Sequence, residues 1–125
     1  MTADHRAFDR TAQTLAEFLD FADTAERLVA RGKPAYDGDE MLRPAAEALL
    51  HRIGETVARL ERDAPDLVAA HPEVRWRAMK GIRNLVAHDD GAVDPEIVWT
   101  SIEAALPAEA DLVRAILADH RRRTG

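Results

Sequence analysis

Between Arg75 and Arg83 the chain carries four cations, Arg75, Arg77, Lys80 and Arg83, and no acid; five residues beyond Arg83 stands His88. A guanidinium neutralises charge on a phosphate in flight, and a positioned imidazole moves a proton on or off a 2′-hydroxyl or a leaving oxygen. Those are the minimum parts for metal-free RNA cleavage. His88 is expected near a helix C-terminus, where the dipole favours imidazolium, and Asp89 and Asp90 follow it, so it should titrate within reach of neutral pH. One histidine cannot easily be acid and base at once. A two-fold dimer that pairs two such sites would supply both.

The segment that must position these groups reads as a helix over about 73–89. On a wheel at 100° per residue, Leu85, Ala78, Ile82, Val86 and Met79 share an arc of roughly 120°, the expected core face. Arg77, Asn84 and His88 fall within about 20° of a common line on the opposite side, with Lys80 roughly 60° and Arg83 roughly 120° away. Residue types alone favour a solvated face here over a phosphate-handling one, since charge runs are usually only that. Trp76 falls on the polar side, about 40° from Lys80. An exposed tryptophan there would be the core of a dimer interface or a platform for a base.

Around this helix the sequence predicts four others. Phe8, Ala12, Leu15, Leu19, Ala22, Ala25 and Val29 mark an amphipathic helix over about 6–31, ended by Gly32 and Pro34. A polar loop, KPAYDGDE, leads to a second stripe from Leu42 to about Asp63, with Pro44 at or near its start. Ala64-Pro65 and His71-Pro72 punctuate a connector with room for a short helical turn. Asp94 and Pro95 read as an N-cap and first helical position, and Pro107 is expected to break that helix from a last one through Leu112, Val113, Ile116 and Leu117. No period-2 segment, repeat or low-complexity stretch is visible. The expected fold is all-α, a five-helix up-and-down bundle forming one domain over residues 1–125.

Composition agrees: 24 alanines stand against six glycines and six prolines, and there is no cysteine, which excludes thiol nucleophiles and Cys-ligated zinc. The net charge of −6 argues against a chain that coats nucleic acid, while leaving room for a local basic face. The N-terminal stretch MTADHRAFDR has no apolar core of a signal peptide, and no apolar run approaches a membrane span, so a cytoplasmic location is expected.

From Trp76 to Trp99 the chain reads W-R-A-M-K-G-I-R-N-L-V-A-H-D-D-G-A-V-D-P-E-I-V-W. This resembles the HepT-like toxins of the HEPN superfamily, all-helical, metal-independent ribonucleases of bacterial type II toxin–antitoxin pairs, whose signature is R-x-x-x-x-H-x-Y within W-x-x-x-x-G-x-R-N. Ile53-Gly54-Glu55 and Leu106-Pro107 match further blocks in order. The resemblance implies Arg83 and His88 as the catalytic pair, Asn84 and Glu55 in support, and no metal or other cofactor; Arg77 and Lys80, from the cationic strip itself, are the candidates for binding RNA. It also implies an active cleft across a homodimer and a minimal nucleotidyltransferase (MNT) antitoxin that attaches AMP to the motif tyrosine. Here that position is Asp90, which has no phenol to accept AMP and brings a fixed negative charge. The sole tyrosine, Tyr36, does not fit the motif.

Further candidates remain open. Glu55 is either a site carboxylate or a buried acid paired with an arginine of the third helix. Gly54 is expected to permit close helix contact, and Trp99 to anchor the bundle or an interface. His88-Asp89, with His51, His71 and Asp119, would make a metal site only on paper, since no ligand spacing supports it. Arg121-Arg122-Arg123 reads as a solvated helix end or a weak RNA contact.

Overall fold

A computed structural model describes residues 9–87 and 93–125, and for 84–87 the backbone alone. The described residues form α1 (Arg10–Val29), α2 (Lys33–Gly38), α3 (Leu42–Asp63), α4 (Pro65–Ala70), α5 (Trp76–Ala87), α6 (Pro95–Thr100) and α7 (Leu106–Thr124), with a π-helical turn, Ser101–Ala105, joining the last two. The fold is all-α. α3 lies centrally, against α1 on one side and α5 on the other, and α7 packs on α1.

α1 begins where the Asp9 carboxylate accepts the Ala12 N–H at 3.0 Å, satisfying one of the unpaired donors of a helix start. Gly32, at φ 91°, turns the chain out of α1 in a conformation that costs a side chain dearly. α3 keeps the bounds that its apolar stripe predicts. Pro44 sits in its first turn, where no helical partner awaits its missing N–H. The core is formed by Leu15, Phe18 and Leu19 of α1, Leu50, Ile53, Val57 and Leu60 of α3, and Val113, Ile116 and Leu117 of α7.

Two local expectations are corrected. The stretch KPAYDGDE is not simply a loop: it contains α2, whose Tyr36 is fully buried, donates its hydroxyl to the Pro95 carbonyl at 2.9 Å and rests its ring 5.0 Å from that of Trp99. One aromatic among polar residues thus ties α2 to the start of α6. Nor does Pro107 separate two helices. The π turn widens the backbone just before it, the Leu106 N–H reaching back to the Ser101 carbonyl, so the proline enters the first turn of α7 without ending the helical run. Asp94 caps α6 as expected, accepting the Glu96 N–H at 2.9 Å.

Candidate active site

α5 is anchored at its beginning. The buried Glu109 carboxylate of α7 accepts the Arg75 N–H at 2.8 Å, placing a negative group at the positive end of the helix. Trp76 is buried at 5% exposure, its indole N–H donating to the His71 carbonyl at 2.9 Å. This overturns its expected place on an exposed strip. The tryptophan is core within its own chain, and it gives no argument for a dimer.

Met79 is buried, Ile82 half-buried and Ala78 exposed. The buried face of α5 is therefore turned from the expected arc by roughly a quarter of a revolution, toward Trp76 and Arg83. Gly54 supplies the reason. A Cβ placed there would lie 2.6 Å from the Arg83 Cβ, 3.2 Å from its Cα and 3.1 Å from the Met79 carbonyl oxygen. α3 and α5 approach backbone to backbone at this point, as no other residue would permit. Gly54 thus permits the close helix contact expected of it, and Arg83 is the residue on the opposite side of the crossing.

With its stem held between helices, Arg83 extends its guanidinium to the rim, where Nη1 donates to Glu55 Oε2 at 3.1 Å. The side chains of Arg83 and Glu55 are 29% and 50% exposed. Of the two readings of Glu55, the pairing with an arginine of this helix is realised, but at the surface. Lys80 Nζ meets Glu61 Oε1 of α3 at 2.5 Å, whereas Arg77 is exposed with no acidic partner among the described residues. Two of the four cations, Lys80 and Arg83, are thus held in ion pairs rather than presented free. Pairs this exposed contribute at most about 1 kcal/mol, so a phosphate that reached Arg83 could displace Glu55 at small cost.

Asn84 is described as helical backbone only, and His88 and Asp90 lie outside the described residues. Among the described residues no three His, Asp or Glu side chains gather closely enough to share a metal ion. His71 pairs instead with Glu73, and Asp119 with Arg122 and Arg123 of the basic end of α7. A groove between α1 and α3, lined by Phe21, His51, Arg52, Glu55 and Arg59, was not singled out by the sequence analysis. The four-residue spacing of His51, Glu55 and Arg59 places them on one face of α3 and is the signal that could have found it.

No helix of the described residues is long and apolar enough to cross a membrane. No solved structure matches the chain. The family model described as ribonuclease HepT-like matches residues 18–116, a span that runs from α1 through α7 and includes Gly54, Glu55, Arg83 and His88. On that match, and with an all-α bundle that sets Arg83 against the glycine of Ile53-Gly54-Glu55, the chain belongs to the HepT-like ribonuclease family.

Proposed function

We propose that the protein is a metal-independent endoribonuclease acting as the toxin of a type II toxin–antitoxin pair in the cytoplasm. The observation that carries this reading is the placement of Arg83, which the sequence resemblance assigns to the motif arginine, with its stem fixed by the Gly54 crossing and its guanidinium at the surface beside a displaceable carboxylate. In the proposed reaction His88 takes the proton of a 2′-hydroxyl, whose oxygen attacks the adjacent phosphorus while the bond to the 5′-oxygen breaks. Arg83 neutralises the charge that builds on the phosphoryl oxygens, and the departing oxygen receives a proton. The products are a 2′,3′-cyclic phosphate and a 5′-hydroxyl. A homodimer with two copies of His88 would provide base and acid together, Asn84 would hydrogen-bond the phosphate, and Arg77 and Lys80 would steer RNA toward it. The cognate antitoxin would be a minimal nucleotidyltransferase. Since Asp90 offers no hydroxyl to AMP, neutralisation would come from direct binding.

The test is end-group analysis of RNA incubated with the protein in EDTA. Cyclic-phosphate ends from the wild type, none from His88→Ala or Arg83→Ala, and intact DNA are expected. Cleavage that survives His88→Ala, or that requires added metal, would sink the proposal.

One feature favours a second reading. By the motif resemblance Asp90 takes the place of the tyrosine, and its charge two residues from His88 would oppose a bound phosphate. The chain would then be a non-catalytic module that dimerises and docks its antitoxin. Asp90→Tyr separates the two, since cleavage gained only on that substitution would identify the present chain as the module.

A further inference from the structure

Beside the Arg83–Glu55 pair runs the groove between α1 and α3, and its contents differ from those of an ordinary helix seam. The Arg52 guanidinium carbon sits 5.9 Å from the centre of the Phe21 ring, with no carboxylate partner among the described residues. His51 lines the same groove, and its Nδ1 is buried without a hydrogen-bond partner. Arg59 closes one end, Nη1 to Glu17 Oε1 of α1 at 2.6 Å. Glu55 belongs both to the groove and to the Arg83 guanidinium. A single carboxylate therefore separates the groove from the arginine placed at the scissile phosphate.

We infer that this groove seats the nucleotide flanking the scissile phosphate of single-stranded RNA, its base on the Arg52 guanidinium and Phe21, its edge toward His51, and its phosphate on Arg52. The inference rests on the ribonuclease reading for the identity of the neighbouring site. Three features of the groove support it. A guanidinium 5.9 Å from the centre of an aromatic ring sets a cation and a π-face side by side, the two kinds of surface on which unpaired RNA bases are held. The His51 Nδ1, buried without a partner, carries a desolvation cost, and a half-turn of the ring would bring it to a ligand group with complementary polarity. Finally, the groove is an open trough along α3 with Phe21 of α1 at its side, which a splayed base can enter and the inward-stacked bases of a duplex cannot.

The experiment measures binding of a fluorescent single-stranded RNA oligonucleotide, 2′-O-methylated throughout so that no 2′-hydroxyl can attack, by anisotropy at several salt concentrations. Arg52→Ala, His51→Phe and, as a control outside the groove, Arg31→Ala are compared with the wild type, after circular dichroism has shown each to be folded. Arg52→Ala is expected to weaken binding roughly tenfold and to flatten the slope of log K against log salt by about 0.7, the loss of one phosphate contact on a single strand. His51→Phe is expected to weaken binding roughly fivefold with the slope unchanged, because a neutral hydrogen bond is lost and no counterion is involved. Wild-type affinity and slope in both groove variants, equal losses in Arg31→Ala, or no binding by the wild type would each overturn the inference. Binding that depends on the groove, from a protein that leaves unmodified RNA intact, would sustain the groove and reject the ribonuclease reading. Cleavage with groove-independent binding would do the reverse.

Discussion

α3 holds a neighbour on each side, and the two sides are built in opposite ways. Toward α1, full-sized apolar side chains such as Leu15 and Phe18 fill the space, and α3 supplies the cation of the rim pair, Arg59 to Glu17. Toward α5 a side chain is missing: Gly54 lets the two backbones meet, and α3 supplies the acids, Glu55 to Arg83 and Glu61 to Lys80. The first side derives its stability from buried area, which tolerates small shifts. The second fixes one arginine to within the tolerance of a backbone contact. The same helix therefore serves stability on one face and placement on the other, and substitutions on the two faces should separate these roles.

The largest stability effect belongs to the α1 side. Phe18 is 2% exposed, and Phe18→Ala should cost about 3–5 kcal/mol in urea denaturation through lost burial and the cavity left behind. RNA cleavage per folded molecule should stay near that of the wild type.

Gly54→Ala should come next, costing about 1–3 kcal/mol from overpacking, although alanine is the better helix former by about 1 kcal/mol. Its contrast is Gly81→Ala on α5, where an added Cβ would meet nothing within 4 Å. That substitution should raise stability by up to about 1 kcal/mol. Thermal melts that move in the same direction for both glycines would contradict the close crossing.

The rim pair on the α1 side should matter least. Arg59→Ala should cost no more than about 1 kcal/mol at neutral pH, since both partners are about one-third exposed. Its acid dependence has a definite sign. Hydrogen bonding to Arg59 holds the Glu17 carboxyl below the ordinary glutamate value, against an opposing effect of burial. A depressed carboxyl contributes stability above the ordinary glutamate range and loses it as pH falls through the depressed value. The stability difference between wild type and Glu17→Gln should accordingly shrink on acidification, as denaturant midpoints measured from neutral pH to about pH 3 would show.

Much of this arrangement was legible in the residues. The stripe from Leu42 to Asp63 gave α3 its bounds, Asp94-Pro95 gave the start of α6, and the glycine of Ile53-Gly54-Glu55 gave a close contact. The rotation of α5 was not legible, because a helical wheel weighs polarity along one helix and cannot register a missing side chain on another. Trp76 was misplaced for the same reason, its burial depending on the His71 carbonyl and the turn before α5. Tyr36 and the π turn escaped because each depends on a partner far along the chain or on backbone adjustment, the hydroxyl on Pro95 and the widened turn on Pro107. Arg52 and Arg59 carry no signal of their own in the sequence, and His51 enters it only as a metal ligand on paper, since Phe21 and Glu17, which make them a site, lie on α1.

The central claim is that the α3–α5 crossing exists to place Arg83. It is tested most directly by single-turnover cleavage of RNA by wild type, Gly54→Ala and Phe18→Ala, each at a temperature where circular dichroism shows it folded. Because displacing a positioned group by about 1 Å can cost about a hundredfold in rate, Gly54→Ala should lose at least roughly tenfold while Phe18→Ala keeps the wild-type rate. A folded Gly54→Ala that cleaves as fast as the wild type would contradict the account.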